Sequence, residues 1–477
     1  MNFKLRQSTK DLAAIILLLT VVLLTRIPFI ENGYGAEEDS WGLVLNARSM
    51  DLSGTYTYSR LPGHPIQEGV LWLMPYAGAF VFNLWSVFFS LVCVLFFILI
   101  LKHYKLPFML PALALAMLPV FYIQSVSSID YLWALAFILA AWYALLRNKF
   151  LISGLLLGLA FGCRITSALY VLPMLIIIWS GSGEKRLSRS LILMSAAGFT
   201  ALLTYIPALT EYGTGIFSTY RLPYPPLAKV LYKGSIGVAG LTGMVALMWA
   251  LIFIIKNRKQ KVTAETSLLP RHHGLAMIVA ILLTLALYIR LPEKSAFLIP
   301  ALPFLLLLIS VRIRQKIPAA VFHVLLILSP FLAGMNLSDP YRGSVHSANA
   351  LKFTVAGQEI FVDPLSGPVF DDYSKRQNKA AYTLALTASA RHIGRPTVWL
   401  SGWWHNETLV RMQDADIRQP LIMMEFATEE QLKYLQLINV PVFYLQEIDQ
   451  VNDRKQGAAI TSEYASPWPA GISSGSR

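Results

Sequence analysis

Long apolar runs alternate with short charged connections along this chain, and that alternation admits few folds. The runs occupy about residues 12–30, 80–101, 107–124, 130–146, 150–163, 166–180, 188–209, 235–255, 274–290, 295–311 and 317–335. A helix crosses the hydrocarbon core with about 20 apolar residues, fewer at the short limit. Inside hydrocarbon every backbone N–H and C=O must be satisfied within the segment, so eleven runs predict eleven transmembrane helices. The fifth and sixth are short and separated only by Arg164-Ile165. The first run could imitate a signal peptide. It lacks a small-residue cleavage site and many spans follow, which predicts an uncleaved first helix. Residues 66–79 are broken by Glu68 and Pro75 and read as an interfacial helix. Composition agrees: 14% of residues are charged, against roughly 25% in a soluble domain.

The connections orient the spans. Lys4, Arg6 and Lys10, Lys102 and Lys105, Arg147 and Lys149, Lys185, Arg186 and Arg189, Lys256 to Lys261, and Arg312 to Lys316 fall in alternate connections. Basic connections mark the cytoplasmic side. The opposite side holds Glu31, Glu37, Glu38, Asp39, Asp51, Glu68, Asp130, Glu211 and Glu293. With an odd number of spans the N-terminus is cytoplasmic and the C-terminus is outside. The net charge of +13 is dispersed over these short loops, which argues against a nucleic-acid partner. Cys93 and Cys163 both lie in apolar runs and form neither a disulfide framework nor a cysteine metal site.

The outer stretch from Gly35 to Glu68 holds most of the acidic residues of the first third. Glu37, Glu38 and Asp39 precede Trp41, Val44, Leu45 and Arg48 at helical spacing, and Gly54 ends the run. A helix N-terminus favours ionised carboxylates. Ser59-Arg60-Leu61-Pro62-Gly63-His64-Pro65 then forms a stiff loop with one cation. Carboxylates and an arginine at a membrane surface suit a base facing an anion; a solvated loop with a capping carboxylate is the plainer reading. Asp130 follows Ser125-Val-Ser-Ser-Ile at the outer end of the fourth run, as a cap or a functional acid. Arg164 interrupts Gly158-Leu-Ala-Phe-Gly-Cys-Arg-Ile-Thr-Ser, where an arginine reaches an anion or snorkels to the interface. Gly154, Gly158 and Gly162 suit close helix packing. Arg290-Leu-Pro-Glu293-Lys294 places cations against the positive-inside trend, as a phosphate contact or a headgroup anchor. Arg221, Lys229 and Lys233 with Tyr220, Tyr224 and Tyr232 read as interface anchors. His272 and His273 fall on the cytoplasmic side. No P-loop, dinucleotide fingerprint or HExxH motif occurs.

Beyond residue 335 polar residues become frequent. Glu359–Val362, Thr397–Leu400, Leu421–Met424 and Val442–Leu445 read as strands, and Gln377–Ile393 and Thr428–Ile438 as helices, the latter with a Thr428/Gln431 capping box. Residues 336–455 are therefore expected to form a small α/β domain. Residues 456–477, rich in Ala, Ser, Pro and Gly, are expected to be disordered. Asn336-Leu-Ser and Asn406-Glu-Thr match the glycosylation pattern.

Several of these stretches resemble the GT-C class of membrane glycosyltransferases, to which protein O-mannosyltransferases and lipid A aminoarabinose transferases belong. Glu38-Asp39-Ser40-Trp41 resembles the loop-one acidic motif, with the acids in reversed order. Ser59 to Glu68, Ile129-Asp130-Tyr131, Gly162 to Ser167, and Arg290 to Lys294 with Phe297-Leu-Ile-Pro300 resemble stretches of bacterial members. Together they cover residues 1–335. The resemblance implies a GT-C-like polytopic α-helical domain over 1–335, with catalytic outer loop 31–68, in a bacterial inner or plasma membrane. It implies transfer of a hexosyl or pentosyl group from a polyprenyl-phosphate sugar to a lipid, glycan or protein hydroxyl on the outer face, with inversion. Asp39 would be the base, with Glu38 open to the same role, and Asp130 would orient the acceptor. Arg60, Arg164 and Arg290 would hold the donor phosphate. Trp41, His64, Glu68, Tyr131, Glu293 and Lys294 would line the substrate. A divalent metal, Mg or Mn, is left open; if used, Glu38, Asp39 and Asp130 would hold it. A lipid-linked glycan polymerase or ligase is the alternative enzyme. A transporter or flippase is the other class, and would place its site near the midplane in paired broken helices.

Overall fold

The computed structural model describes residues 2–181, 184–218, 224–257, 269–337, 350–355, 358–425, 427–444 and 466–467. The helices in chain order are α1 (Asn2–Arg26), α2 (Glu38–Ser53), α3 (Pro65–Trp72), α4 (Ala79–His103), α5 (Met109–Met117), α6 (Pro119–Ser125), α7 (Tyr131–Leu146), α8 (Phe150–Cys163), α9 (Val171–Ser180), α10 (Arg186–Tyr212), α11 (Leu227–Gly234), α12 (Ile236–Lys256), α13 (Arg271–Arg290), α14 (Leu302–Arg312) and α15 (Lys316–Leu328). Among the described residues, six helical stretches are long and apolar enough to cross a membrane, and four shorter apolar helices join them. This is the multi-pass helical membrane protein that the hydropathy pattern predicts. Asp11 pairs with Lys102 at 2.8 Å and Tyr104 meets His273 at 2.9 Å, so these expected cytoplasmic segments share one end. Arg221 and its neighbour Tyr220, with Arg258, Lys259 and Lys261, lie outside the described residues.

Several of the runs depart from a straight helix, α12 among them with a kink at Gly240 (φ 69°). The third splits at Leu118, which is extended (φ −57°, ψ 132°) because Pro119 follows it. The break frees the Ala116 carbonyl, and the fully buried Arg26 donates to it. Arg26 also donates to Ser125 Oγ at 3.1 Å and lies 4.0 Å over the Tyr122 ring. A buried cation thus repairs the carbonyl that the proline exposed. α8 stops at Cys163, Arg164 is extended, and a 3₁₀ turn Ile165–Tyr170 leads into α9. A second 3₁₀ turn, Ser295–Ala301, precedes α14.

The glycines of α8 pack against α10. A Cβ on Gly154 would lie 2.7 Å from Ala196 Cβ, one on Gly158 2.7 Å from the Ala197 carbonyl oxygen, and one on Gly162 2.6 Å from Thr204 Oγ1. This is the close approach that small residues permit between membrane helices.

The chain then enters the tail domain: β1 (Gly334–Leu337), β2 (Leu351–Val355), β3 (Gln358–Asp363), α16 (Pro368–Ala390), β4 (Thr397–Leu400), α17 (His405–Asp414), β5 (Leu421–Met424), α18 (Glu429–Leu437), β6 (Val442–Tyr444) and β7 (Ser466–Pro467). β1, β3 and β2 form an antiparallel sheet in that order; β5, β4, β6 and β7 form a parallel one. β4 is central and buried throughout, as a strand of a parallel sheet should be. Leu386, Val398, Leu400, Leu432 and Val442 form the core. The Thr428/Gln431 capping box is present. Two expectations shift. The last apolar run, expected to 335, leaves its helix at Leu328 and ends in β1. The helix expected from Gln377 begins at Pro368, with proline at the first turn where no N–H is needed. β1, β2 and α17 carry no clear period and were not foreseen. Of the expected disordered tail only Ser466–Pro467 is described, paired with β6; the rest of 456–477 lies outside the described residues.

Gly158→Leu should push α8 from α10 and lower the melting temperature in detergent, the loss being about 1–3 kcal/mol or more. Gly198→Ala, whose Cβ meets nothing within 4 Å, is the control and should leave the melt unchanged or slightly raised.

Candidate active site

α2 starts where the acidic run predicts. Glu37 is its N-cap, Glu38 and Asp39 fill the first turn, and Gly54 closes it in the left-handed region (φ 68°). The chain then returns through the loop before α3, and Glu68 fixes that loop. Its carboxylate accepts from Tyr56 OH (2.5 Å), Ser59 N (2.7 Å), Ser59 Oγ (2.7 Å) and His64 N (2.9 Å). Glu68 is buried and spent on these contacts, so it shapes the loop that presents Arg60 and His64.

Charges of alternating sign converge here. Lys294 pairs with Asp39 and with Glu37 (2.5 Å). Arg60 Nε lies 3.7 Å from Asp39 Oδ2, and its Nη2 pairs with Asp130 Oδ1. Arg164 Nη1 donates to Asp130 Oδ2 at 2.6 Å. The Arg164 guanidinium lies 4.3 Å from the Tyr131 ring centre and 5.0 Å from that of Phe297. Arg164 therefore reaches an anion, and the anion is the protein's own. The Asp39 side chain is 32% exposed and that of Asp130 is 0%. In this arrangement Asp39 can be touched from outside, whereas Asp130 sits behind the two arginines and holds them.

Burial alone would raise the Asp39 pKa; the Lys294 and Arg60 charges override it and hold the carboxyl well below the usual range. Burial opposes the Lys294 ammonium, and the Asp39 and Glu37 carboxylates hold its proton more tightly than usual. Burial, then the Arg60 charge, push the His64 ring down, which leaves it neutral near pH 7. His64 Nδ1 faces two acceptors, the Cys163 carbonyl at 2.8 Å and Asp130 Oδ2 at 3.4 Å, so that nitrogen carries the proton.

The other expected site residues are dispersed. Glu38 turns away from Asp39 toward the tail domain, pairing with Lys379 and accepting from Asn406 N at 2.9 Å. Burial raises its pKa. Trp41 is buried, donates to the Gly35 carbonyl at 2.9 Å, and packs on Tyr34. Glu293 offers its carbonyl to Lys233. Arg290 is exposed at the last turn of α13 and is not among the partners of Asp39 or Asp130. Glu38, Asp39 and Asp130 do not converge as a metal ligand set, since Glu38 faces elsewhere and cations occupy both oxygens of Asp130. No group of three or more acidic, His or Cys side chains placed for a metal occurs among the described residues. The sequence marks Lys294 as a cation for a phosphate or headgroup and as a lining residue, not as a partner of Asp39, and it leaves Glu37 out of the site. The one signal for Glu37 was its place beside Glu38-Asp39.

Asp130→Asn should strand Arg60 and Arg164, and the melting temperature should fall by the equivalent of roughly 3–5 kcal/mol, the usual cost of breaking a buried pair. Asp39→Asn should cost less, because Asp39 is part-exposed. Since the folded Asp39 pKa is depressed, its contribution is present above about pH 4 and fades as pH falls below that value. The stability gap between wild type and Asp39→Asn should therefore narrow in acid, followed by thermal melts at pH 7 and below 4.

No protein-family model matches this sequence, and no curated protein matches it. The fold is similar to that of ArnT from Cupriavidus metallidurans in the apo state, with a TM-score of 0.51, 10% identity, and 93% of this chain and 91% of that one covered. The GT-C-like architecture expected from the sequence is thereby borne out as a fold: a polytopic helical membrane domain with a small α/β domain at its C-terminal end.

Proposed function

We propose that this chain is an integral membrane glycosyltransferase that moves a sugar from a polyprenyl-phosphate-linked donor to a hydroxyl of a lipid, glycan or protein acceptor. The observation that carries the reading is a part-exposed carboxylate, Asp39, touching Lys294 and beside Arg60, with Arg164 held behind them. That is the apposition of base and cations that displacement of a phosphate requires.

The acceptor oxygen attacks the anomeric carbon while the bond from that carbon to the phosphate oxygen breaks. The hydroxyl proton passes to Asp39 as general base. The leaving polyprenyl phosphate gains negative charge and needs cations, not an acid; Lys294 and Arg60 supply them. A single displacement inverts the anomeric centre. While Lys294 sits on Asp39, the carboxylate is a weak base. An incoming phosphate competes for the same ammonium, and its capture by the donor frees Asp39 to accept a proton. Arg164, flanked by Tyr131 and Phe297, keeps Asp130 and hence Arg60 in place. Arg290, at the exposed end of α13, would meet the headgroup of the arriving lipid. A midplane transport site is less well supported, because these charges gather at helix ends.

The donor-using face is outside the cytoplasm in this reading, together with the tail domain, in a bacterial inner or plasma membrane. A reporter active only in the cytoplasm, fused after Leu337, should be silent; strong activity would reverse the topology. Asp39→Asn is nearly isosteric and equally good near a helix start. It should lower transfer from a purified polyprenyl-phosphate sugar by about a hundred- to ten-thousandfold, with expression and folding retained. Normal transfer in that variant would remove Asp39 from the mechanism.

A further inference from the structure

Two acidic segments make the candidate site, and one helix of the tail domain holds both. Arg376 of α16 donates from Nη1 to the Val126 carbonyl at 2.8 Å and from Nη2 to Ser127 Oγ at 2.6 Å. Both acceptors lie in the loop that ends in Asp130. Arg376 is buried and anchored one turn back by Asp372, Nε to Oδ2 at 2.7 Å. Three residues on, Lys379 pairs with Glu38, the immediate neighbour of Asp39. Residues three apart share a helix face, so one face of α16 reaches both acids' supports.

α17 adds a second grip on α2. Asn406 donates from its backbone to Glu38 Oε2 at 2.9 Å and from Nδ2 to the Glu38 carbonyl at 3.2 Å. Near the other end Arg48 donates to Asp414 Oδ1 at 2.6 Å and to Gln413 Oε1 at 3.0 Å. A Cβ on Gly42 would lie 3.2 Å from Asn406 Nδ2, so the two helices touch closely. The Glu38 side chain is spent on this docking, and the consecutive carboxylates divide the work: Glu38 faces the tail domain and Asp39 faces Lys294.

We propose that α16 is a positioning element of the candidate active site: Arg376 and Lys379, fixed on one stiff helix, set the separation between Asp39 and the Asp130–arginine group. A helix rises about 1.5 Å per residue, so the two supports are held about 4.5 Å apart along a rod that does not itself touch substrate. Arg376 and Lys379 are positioning residues, and the tail domain is part of the catalytic unit. A shift of about 1 Å at a reacting group can cost about a hundredfold in rate, which is the sensitivity that such a brace would serve. The kinetic consequence rests on the glycosyltransferase reading; the brace itself does not.

The test uses the full-length protein in detergent, with Lys379→Gln, Glu38→Gln, their double variant, the exchanged pair Glu38→Lys/Lys379→Glu, and Arg376→Lys. Backbone hydrogen exchange is followed over residues 38–44 and 126–131. Exchange should quicken over 38–44 in Lys379→Gln and over 126–131 in Arg376→Lys. With a polyprenyl-phosphate sugar as probe, kcat should fall at least about tenfold while KM for the donor stays within about threefold, the split expected of misplacement. The double variant should be no worse than the worse single, and the exchanged pair should recover part of kcat. Should Arg376→Lys not fold, Asp372→Asn frees the same guanidinium and gives the same reading. Unchanged exchange in both segments, or unchanged kcat in folded variants, overturns the proposal. If wild-type protein transfers no sugar from such donors, the glycosyltransferase reading fails and the exchange result alone decides the brace.

Discussion

The charged cluster of the candidate site depends on a single buried carboxylate. Removing a carboxylate from water costs several kcal/mol even after relaxation unless opposite charge and hydrogen bonds meet it. Asp130, with no exposed side-chain surface, is met by Arg60 and Arg164 and approached by the His64 ring. Those partners come from the loop after α2 and from the end of α8. Satisfying one acid therefore draws together segments that are far apart in the chain. Arg60 then extends the pattern outward to Asp39, and Lys294 closes it with Glu37. The cations that hold the acids in place are the same ones that an incoming phosphate would attract.

The breaks in the apolar runs follow from the same requirement. A straight helix carries its end residue along its own axis, whereas a break lets one side chain leave the bundle sideways. Arg164 sits at such a point, extended between α8 and a 3₁₀ turn, and Lys294 is the extended residue that opens the turn before α14. At Leu118 the break is made by proline, and Arg26 takes up the carbonyl that it frees. Each of these three irregularities thus comes with a cation or with the means to satisfy exposed backbone.

The tail domain joins the membrane domain through mixed faces: Val369 of α16 packs with Met117 and Tyr122, Val410 of α17 packs with Trp41 and Val44, and charged contacts lie beside them. α16 and α17 present Arg376, Lys379, Asn406 and Asp414 to the loop before Asp130 and to α2. Residues 368–376, ahead of the expected helix, and α17 both mix a few apolar residues with polar ones and went unread, while the apolar strands β4 and β5 were placed to the residue.

Hydropathy and proline or glycine punctuation are local, and the chain's sequence determined what is local. The multi-pass helical pattern, the helix start at Glu38-Asp39, the cap at Gly54, the packing glycines of α8 and the Thr428 capping box could all be read directly. So could the presence of acids and arginines at helix ends. Tertiary structure alone decided how those charges pair. Whether Arg164 snorkels or meets an anion, whether Lys294 lines a pocket or holds Asp39, and which way Glu38 turns depend on distances between segments far apart in sequence. Two adjacent carboxylates on a helix point roughly 100° apart, so the motif Glu38-Asp39 looks like a pair in sequence and faces two partners in space. Electrostatic energy depends on separation in space, which spacing along the chain does not encode.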